Sequence, residues 1–249
     1  MKPERVLILL IGLGFLLTAC LIGDDDENNG DAPPDPAALM ATAAQEIDDT
    51  ASFELLLAIE GAPILLDVSS VGFEEPLTLE RAEAAFEKPD RVRATVRIGI
   101  EDVVTDMELI AIGEEQYIRH PLITFNRWMN ATVVQGFQPS ALVSEEQGIA
   151  HALRSVENVR YVGEEDLDGV TVHHLQGEVD AAEVQAVTFG LITSTTGVLQ
   201  ADVFIRTRDG RLEQLLLVEP DADPASSTTW TIGLYGYGGD FGISAPEVE

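Results

Sequence analysis

Cysteine is nearly absent from this chain: Cys20 is the only one among 249 residues. No disulfide can form within the chain, and outside the reducing cytoplasm the fold must rest on its hydrophobic core alone. The same scarcity leaves no Cys-x-x-Cys pair, and no His-x-x-x-His spacing stands in for it as a metal site. Basic residues are few as well, 14 Lys and Arg against 44 Asp and Glu, for a net charge of −30. That balance argues against nucleic acid and against polybasic docking on anionic lipid. Aromatic residues make up only 6% and no basic stripe accompanies them, so base stacking is disfavoured on a second count.

Long apolar runs are also missing. The one at the N-terminus, Val6 to Leu17, covers about twelve residues behind Lys2 and Arg5, which suits the h-region of a signal peptide. It falls short of the roughly twenty residues a membrane span needs. The run closes on Leu17-Thr18-Ala19-Cys20, a Leu-x-Ala-Cys pattern that resembles the lipobox of bacterial lipoproteins, in which the signal peptide is cut before the cysteine and acyl chains such as palmitate are attached to it. Residues 1–19 are therefore expected to be a lipoprotein signal peptide and Cys20 the lipidated residue. Their removal takes away Lys2, Glu4 and Arg5 and leaves 12 basic and 43 acidic residues, a net charge of −31.

Residues Gly23 to Pro36 combine Asp24-Asp25-Asp26 with Asn, Gly and Pro, a composition that buries too little apolar surface to order itself. With Cys20 they form the expected tether, 20–36. The acidic triplet lacks the alternating ligands, central glycine and distant glutamate of a calcium loop. From there the pattern turns helical: Asp35 can cap, Pro36 suits the first turn, and Leu39, Met40, Ala43, Ala44 and Ile47 recur at steps of three and four. This predicts a helix of about fourteen residues ending near Asp49.

Alternating segments come next. Phe53, Leu55, Leu57 and Ile59 share one face of a strand; Gly61-Ala62-Pro63 is a turn; Ile64 to Val71 is extended again. Strand 78–87 sets Ala82, Ala84 and Phe86 against Arg81, Glu83 and Glu87. In the next, Val92, Ala94, Val96 and Ile98 alternate with Arg91, Arg93, Thr95 and Arg97. Val103 to Ile112, with Met107 and Leu109 on it, and Gln116 to Arg119 complete an antiparallel meander. Residues 121–144 read as irregular, and Ser144 with Gln147 reads as a capping box for a short helix through Arg154. Strands are predicted at 159–162, 170–178, 198–206, 212–219 and 228–237. Between the second and third of these Asp180 caps a third helix, with Val184, Val187, Thr188 and Leu191 as its apolar stripe.

Strands that are wet on one face and dry on the other need a cover on one side only, and three helices can supply it. The expected fold is α+β, a single curved antiparallel sheet wrapped over about three helices in one domain, 37–249. Catalytic constellations are weak. His120 lies in a loop and His151 on the short helix. His173 and His174 are adjacent on a strand, where period two sends them to opposite faces. No catalytic residue, metal site or cofactor is expected. The informative feature is the size of the dry-face residues: Ala82, Ala84, Ala94 and Ala111 stand where Leu or Ile would normally fill the space. Either the helices come close and fill the gap, or a cavity remains.

Several segments in this order resemble the LppX/LprAFG lipoproteins. They are Lys88-Pro89-Asp90-Arg91-Val92-Arg93-Ala94, Glu115-Gln116-Tyr117-Ile118, Trp128 after an irregular loop, His174-Leu175-Gln176-Gly177, Leu234-Tyr235-Gly236 and Ile243-Ser244-Ala245-Pro246. The resemblance covers about residues 37–247. It implies a half-barrel similar to that of the carriers LolA and LolB, with an apolar cavity between sheet and helices for the acyl chains of lipids or lipoglycans. The cavity would be lined from the dry faces by Phe53, Leu55, Leu57, Ala82, Ala84, Phe86, Val92, Ala94, Val96, Met107, Leu109, Val184, Val187 and Leu191. It also implies a protein held outside the cytoplasmic membrane by Cys20, carrying or presenting lipid, with an envelope transporter as a conceivable partner and no nucleic acid. An anionic headgroup at the mouth would need Arg91, Arg93, Arg97 or Arg119. The alternative is a tethered accessory or sensor protein that binds another envelope protein and no lipid.

Overall fold

The computed structural model describes residues 33–66, 77–100, 103–132, 137–192, 197–219 and 227–248. The expected signal peptide, Cys20 and most of the expected tether lie outside the described residues. The first element is α1, Pro36–Asp49, with the bounds its end signals predict. Asp35 accepts a hydrogen bond from Ala37 N–H at 3.0 Å, which satisfies one of the free donors of the first turn. Met40, Ala43, Ala44 and Ile47 form its buried face. At the far end Lys88 Nζ donates to the Asp48 carbonyl at 2.6 Å, a cation where the helix dipole favours one.

After α1 the described residues form twelve strands: β1 (Ser52–Glu60), β2 (Ile64–Leu66), β3 (Leu77–Glu87), β4 (Arg91–Ile100), β5 (Val103–Ile112), β6 (Glu115–Arg119), β7 (Met129–Asn130), β8 (Glu157–Leu167), β9 (Val170–Asp180), β10 (Val198–Arg206), β11 (Leu212–Glu219) and β12 (Thr228–Tyr235). A second helix, α2 (Ile149–Arg154), precedes β8. The strands form one sheet, ordered 7-6-5-4-3-1-12-11-10-9-8, with β2 beside β3. Every pairing is antiparallel. One meander therefore runs outward from β3 to β7, the chain crosses over through α2, and a second meander returns from β8 to place β12 against β1. The sheet is open, with β7 and β8 as its edges.

Eleven strands side by side would span roughly 50 Å if flat, at about 4.8 Å each. The apolar face is nevertheless one continuous core with Ile47 of α1 and Leu153 of α2. A helix of fourteen residues is only about 21 Å long, so the sheet must curl round its two helices to share one core with them. The opposite face is wet and cross-linked by charge, as with Arg97 and Asp106 at 3.0 Å and with Arg119 and Glu108.

The structure departs from the sequence reading in four places. Two α-helices are present among the described residues, where three were expected. Asp180 does cap, accepting from Ala182 N–H at 2.9 Å, but the element it opens is a 3-10 turn, Ala181–Val184. Phe189 and Gly190, with φ of 55° and 69°, then break any helical continuation. The Ser144 box also fails: Ser144 accepts from Glu146 N–H at 3.2 Å, a 3-10 turn occupies Pro139–Val143, and α2 begins behind Gly148 with no side-chain cap. Gly61-Ala62-Pro63 does not reverse the chain, because β1 and β2 both run antiparallel to β3. It is a bend, and only glycine suits position 61: φ there is 110°, and a Cβ would come within 2.2 Å of the Ser227 carbonyl oxygen. Finally, β7 lies within the stretch read as irregular.

The C-terminal segment is clamped to the outer face. Glu87 accepts N–H bonds from Phe241 at 2.8 Å, Gly242 at 2.9 Å and Ile243 at 3.0 Å, and Arg91 donates to the Ile243 carbonyl at 3.0 Å. Ile243 thereby covers Ile110 and Tyr117 in a small second core. Desolvation tends to raise the Glu87 pKa, but the three backbone N–H groups and Arg91 lower it further, so the net shift is downward from 4.5. A depressed carboxylate stabilises the fold above its unfolded pKa, and that contribution is lost as pH falls through the folded value. Protection of the Phe241–Ile243 amides, measured against their intrinsic exchange rates, is therefore expected to fall below about pH 4.5 in the native chain. Glu87→Gln should bring fast exchange at neutral pH; unchanged protection in that variant would refute the clamp.

Candidate functional site

The pairing register builds the site. Leu55 faces Ala84 and Leu57 faces Ala82 across β1 and β3; Ala84 faces Ala94 and Ala82 faces Val96 across β3 and β4; Leu109 and Met107 continue these rows on β5. Two neighbouring apolar rows thus dip where three alanines adjoin. Across the dip stand Phe137, which comes after β7, and Phe189 and Leu191, which precede β10. The two phenylalanines meet edge to face at 5.1 Å. The result is an apolar cleft on the inner face, and every residue that lines it is apolar. Its empty space, mouth included, is about 630 Å³, of which about 70 Å³ admits a water-sized sphere. The smaller figure measures the room a ligand would find, since the larger includes open solvent. It is less than the roughly 150 Å³ that holds one benzene ring in an apolar protein cavity. The cleft is thus narrower than the expected cavity, and its outer wall is made by loops, not by helices.

Ten of the residues expected to line a cavity surround this cleft: Leu55, Leu57, Ala82, Ala84, Val92, Ala94, Val96, Met107, Leu109 and Leu191. The other four lie in solid core. Phe53 and Phe86 stack on each other at 5.0 Å, and Val184 and Val187 are fully buried. Leu79, Phe137 and Phe189 also line the cleft. Leu79 has the wrong parity for a regular strand; an irregularity in register between Leu79 and Arg81 turns it inward. Phe137 belongs to no periodic segment, and Phe189 falls off the stripe of Val184, Val187, Thr188 and Leu191.

No arginine reaches the cleft. Arg97 and Arg119 are held by carboxylates on the outer face, Arg119 also lying 5.0 Å over the Trp128 ring. Arg91 holds the C-terminal segment. Arg93 lines a polar hollow on the outer face with Glu54, Glu83 and Glu108. The condition for an anionic headgroup at the mouth, that one of these four arginines lie there, is therefore not met: odd positions of β4 point away from Val92, Ala94 and Val96.

Other polar clusters do not amount to a reaction centre. His151 Nε2 lies 2.5 Å from Glu183 and 3.3 Å from Ser155 Oγ. Both partners use the same ring nitrogen, so no carboxylate orients the imidazole from Nδ1 as a serine nucleophile would require. His174 contacts Glu165 and Asp202 on one face of the sheet, and His173 lies beside Tyr161 on the other. Among the described residues no group of three His, Cys, Asp or Glu could hold a metal ion, and no helix is long and apolar enough to cross a membrane.

Fold and site together define a class: an open antiparallel sheet curled round two helices, with an apolar cleft on its inner face. Within that class the chain belongs to the LppX_LprAFG lipoprotein family, whose model matches residues 35–243. Similar solved structures include lipoprotein LprF from Mycobacterium bovis, with TM-score 0.61 at 14% identity over 85% of this chain and 96% of that one. Lipoprotein LppX from Mycobacterium tuberculosis gives TM-score 0.56 at 15% identity over 86% and 100%. At these identities the likeness is one of fold. No curated protein sequence matches the chain.

Proposed function

We propose that the protein is a lipoprotein, anchored outside the cytoplasmic membrane through acylated Cys20, that binds the acyl chains of a lipid in the inner-face cleft and carries or presents it in the envelope. The observation that supports this most directly is the dip made by Ala82, Ala84 and Ala94 under a wall with no polar residue. Each buried methylene contributes about 0.8 kcal/mol and needs no polar partner. Binding requires the cleft to widen. Phe137 and the Phe189–Leu191 segment are the parts able to swing, since they belong to loops and Phe189 already sits in a sparsely populated backbone region.

The narrowness of the cleft favours a second reading, in which the same fold serves as a tethered accessory or sensor protein for another envelope protein and takes no lipid. One experiment separates them. The full chain is extracted from bacterial membranes, stripped with organic solvent, and the extract is examined by mass spectrometry. Diacyl or triacyl lipid in fixed proportion to protein is the expected result; a repeatedly empty protein would leave the second reading.

A further inference from the structure

The loop after β6 is built at some cost to display apolar side chains. His120 is fully buried, and its Nδ1 accepts N–H bonds from Leu122 at 3.2 Å and Ile123 at 3.1 Å. Its carbonyl accepts from Thr124 at 3.1 Å and Asn126 at 3.2 Å, and the His120 N–H donates to Thr124 Oγ1 at 2.9 Å. Two consecutive residues, Phe125 and Asn126, hold φ of 52° and 61°, a region that non-glycine residues avoid. The ring's Nε2 is buried without a hydrogen-bond partner among the described residues. All this folds tightly round the imidazole, yet it leaves Phe125 81% and Leu122 60% exposed. A strained, internally bonded loop that presents a phenylalanine to water points to a contact made elsewhere.

The charge of the same segment says with what. The chain averages about one acidic residue in six, 44 of 249, but from Gln116 to Ser144 there is none. Arg127 is exposed at the end of the loop, and no carboxylate pairs with it among the described residues. Trp128 comes next, with Met129 44% exposed. An otherwise strongly acidic protein thus has one stretch of chain without carboxylates, carrying two exposed apolar tips and an arginine, while Trp128 behind them stands beside Glu108 in the polar hollow of the outer face. That is the composition of a bilayer interface contact.

We propose that the His120–Arg127 loop docks the domain on the surface of a phospholipid bilayer, with Phe125 and Leu122 entering the acyl boundary and Arg127 meeting lipid phosphate. The contact rests on the reading of the protein as membrane-anchored through Cys20, whose tether makes this contact of the folded domain an intramolecular one.

The test uses the full chain isolated from membranes, with Phe125→Cys, Leu122→Cys or the control Arg208→Cys, each labelled with a polarity-sensitive fluorophore. Arg208 sits in the turn between β10 and β11, with 72% of its side chain exposed. Unsubstituted protein must take no label, which shows that Cys20 is blocked by acylation. In phosphatidylcholine vesicles containing phosphatidylglycerol, labels at 125 and 122 are expected to shift to the blue and lose quenching by iodide, with 208 unchanged. Arg127→Ala should lower the ratio of shielded to exposed label about fivefold on these vesicles and have little effect on phosphatidylcholine alone. Labels at 125 and 122 that stay as wet as 208 would overturn the proposal, as would shielding that rises with protein concentration in the absence of vesicles, the mark of a protein partner. Lipid in the solvent extract of the same preparation reports separately on the cleft: a loaded protein with wet labels refutes docking alone, and an empty protein with shielded labels refutes lipid carriage alone.

Discussion

Ala84→Leu is expected to empty the protein of lipid while leaving it folded. Ala84 lies between Leu55 and Ala94 in one register row, on the floor of the cleft. The open space above it is about 70 Å³, and the three added carbons of leucine would occupy it. They would displace about three methylenes of ligand, or about 2.4 kcal/mol at 0.8 each, roughly a fiftyfold loss of affinity. The folded protein should not suffer, because filling an existing apolar gap commonly raises stability by about 0.5–2 kcal/mol. Ala58→Leu is the control. Ala58 belongs to the other parity of β1 and faces away from the cleft, so lipid recovery should be unchanged there. Quantitative mass spectrometry of extracted lipid, with thermal unfolding of both variants, decides the matter. Full lipid recovery with Ala84→Leu would place the ligand elsewhere or remove it from the account.

The same alanines show how far the sequence was legible. Period-two alternation with charge on one side located most strands of the two meanders, missing β7 and all but four residues of β8, and it gave the inner faces of β1, β3 and β4 at Leu55, Leu57, Ala82, Ala84, Val92, Ala94 and Val96. Helix α1 was legible to its ends because Asp35, Pro36 and the apolar spacing all act within a few residues of one another. The third helix was not, since a stripe at Val184, Val187 and Leu191 satisfies helical spacing whether or not the backbone is helical. Val187, Thr188 and Phe189 are poor helix formers, Thr188 Oγ1 donates back to the Val184 carbonyl at 3.0 Å, and the chain turns left-handed at Phe189. Cleft residues were visible where they sat on regular strands and hidden where tertiary packing placed them. Leu79 depended on a register irregularity, and Phe137 and Phe189 depended on two loops meeting across the sheet. With Val92, Ala94 and Val96 inside, alternation alone sends Arg91, Arg93 and Arg97 outward.

Trp230→Ala is expected to be the most damaging single substitution, and Trp230→Phe much milder than its loss of volume suggests. Trp230 is fully buried on β12, facing Ile59 on one side and Leu217 on the other. Beyond Leu217 the row continues to Ala201 and Gly177, where side chains shrink. A Cβ on Gly177 would lie 2.6 Å from Val156 Cγ1, so the backbone there is already in close contact with the chain leaving α2. The neighbourhood has little means of collapsing into a void, and the alanine variant should lose about 3–5 kcal/mol. The indole Nε1 is buried and has no hydrogen-bond partner among the described residues. An unsatisfied buried donor costs about 1–3 kcal/mol; phenylalanine removes that donor and keeps most of the apolar surface, so the two effects offset. Denaturant melts should therefore place Trp230→Phe within about 1 kcal/mol of the parent chain and Trp230→Ala far below it. Equal losses in the two variants would mean that Nε1 does find a partner and that this hydrogen bond, more than packing, holds the centre of the sheet.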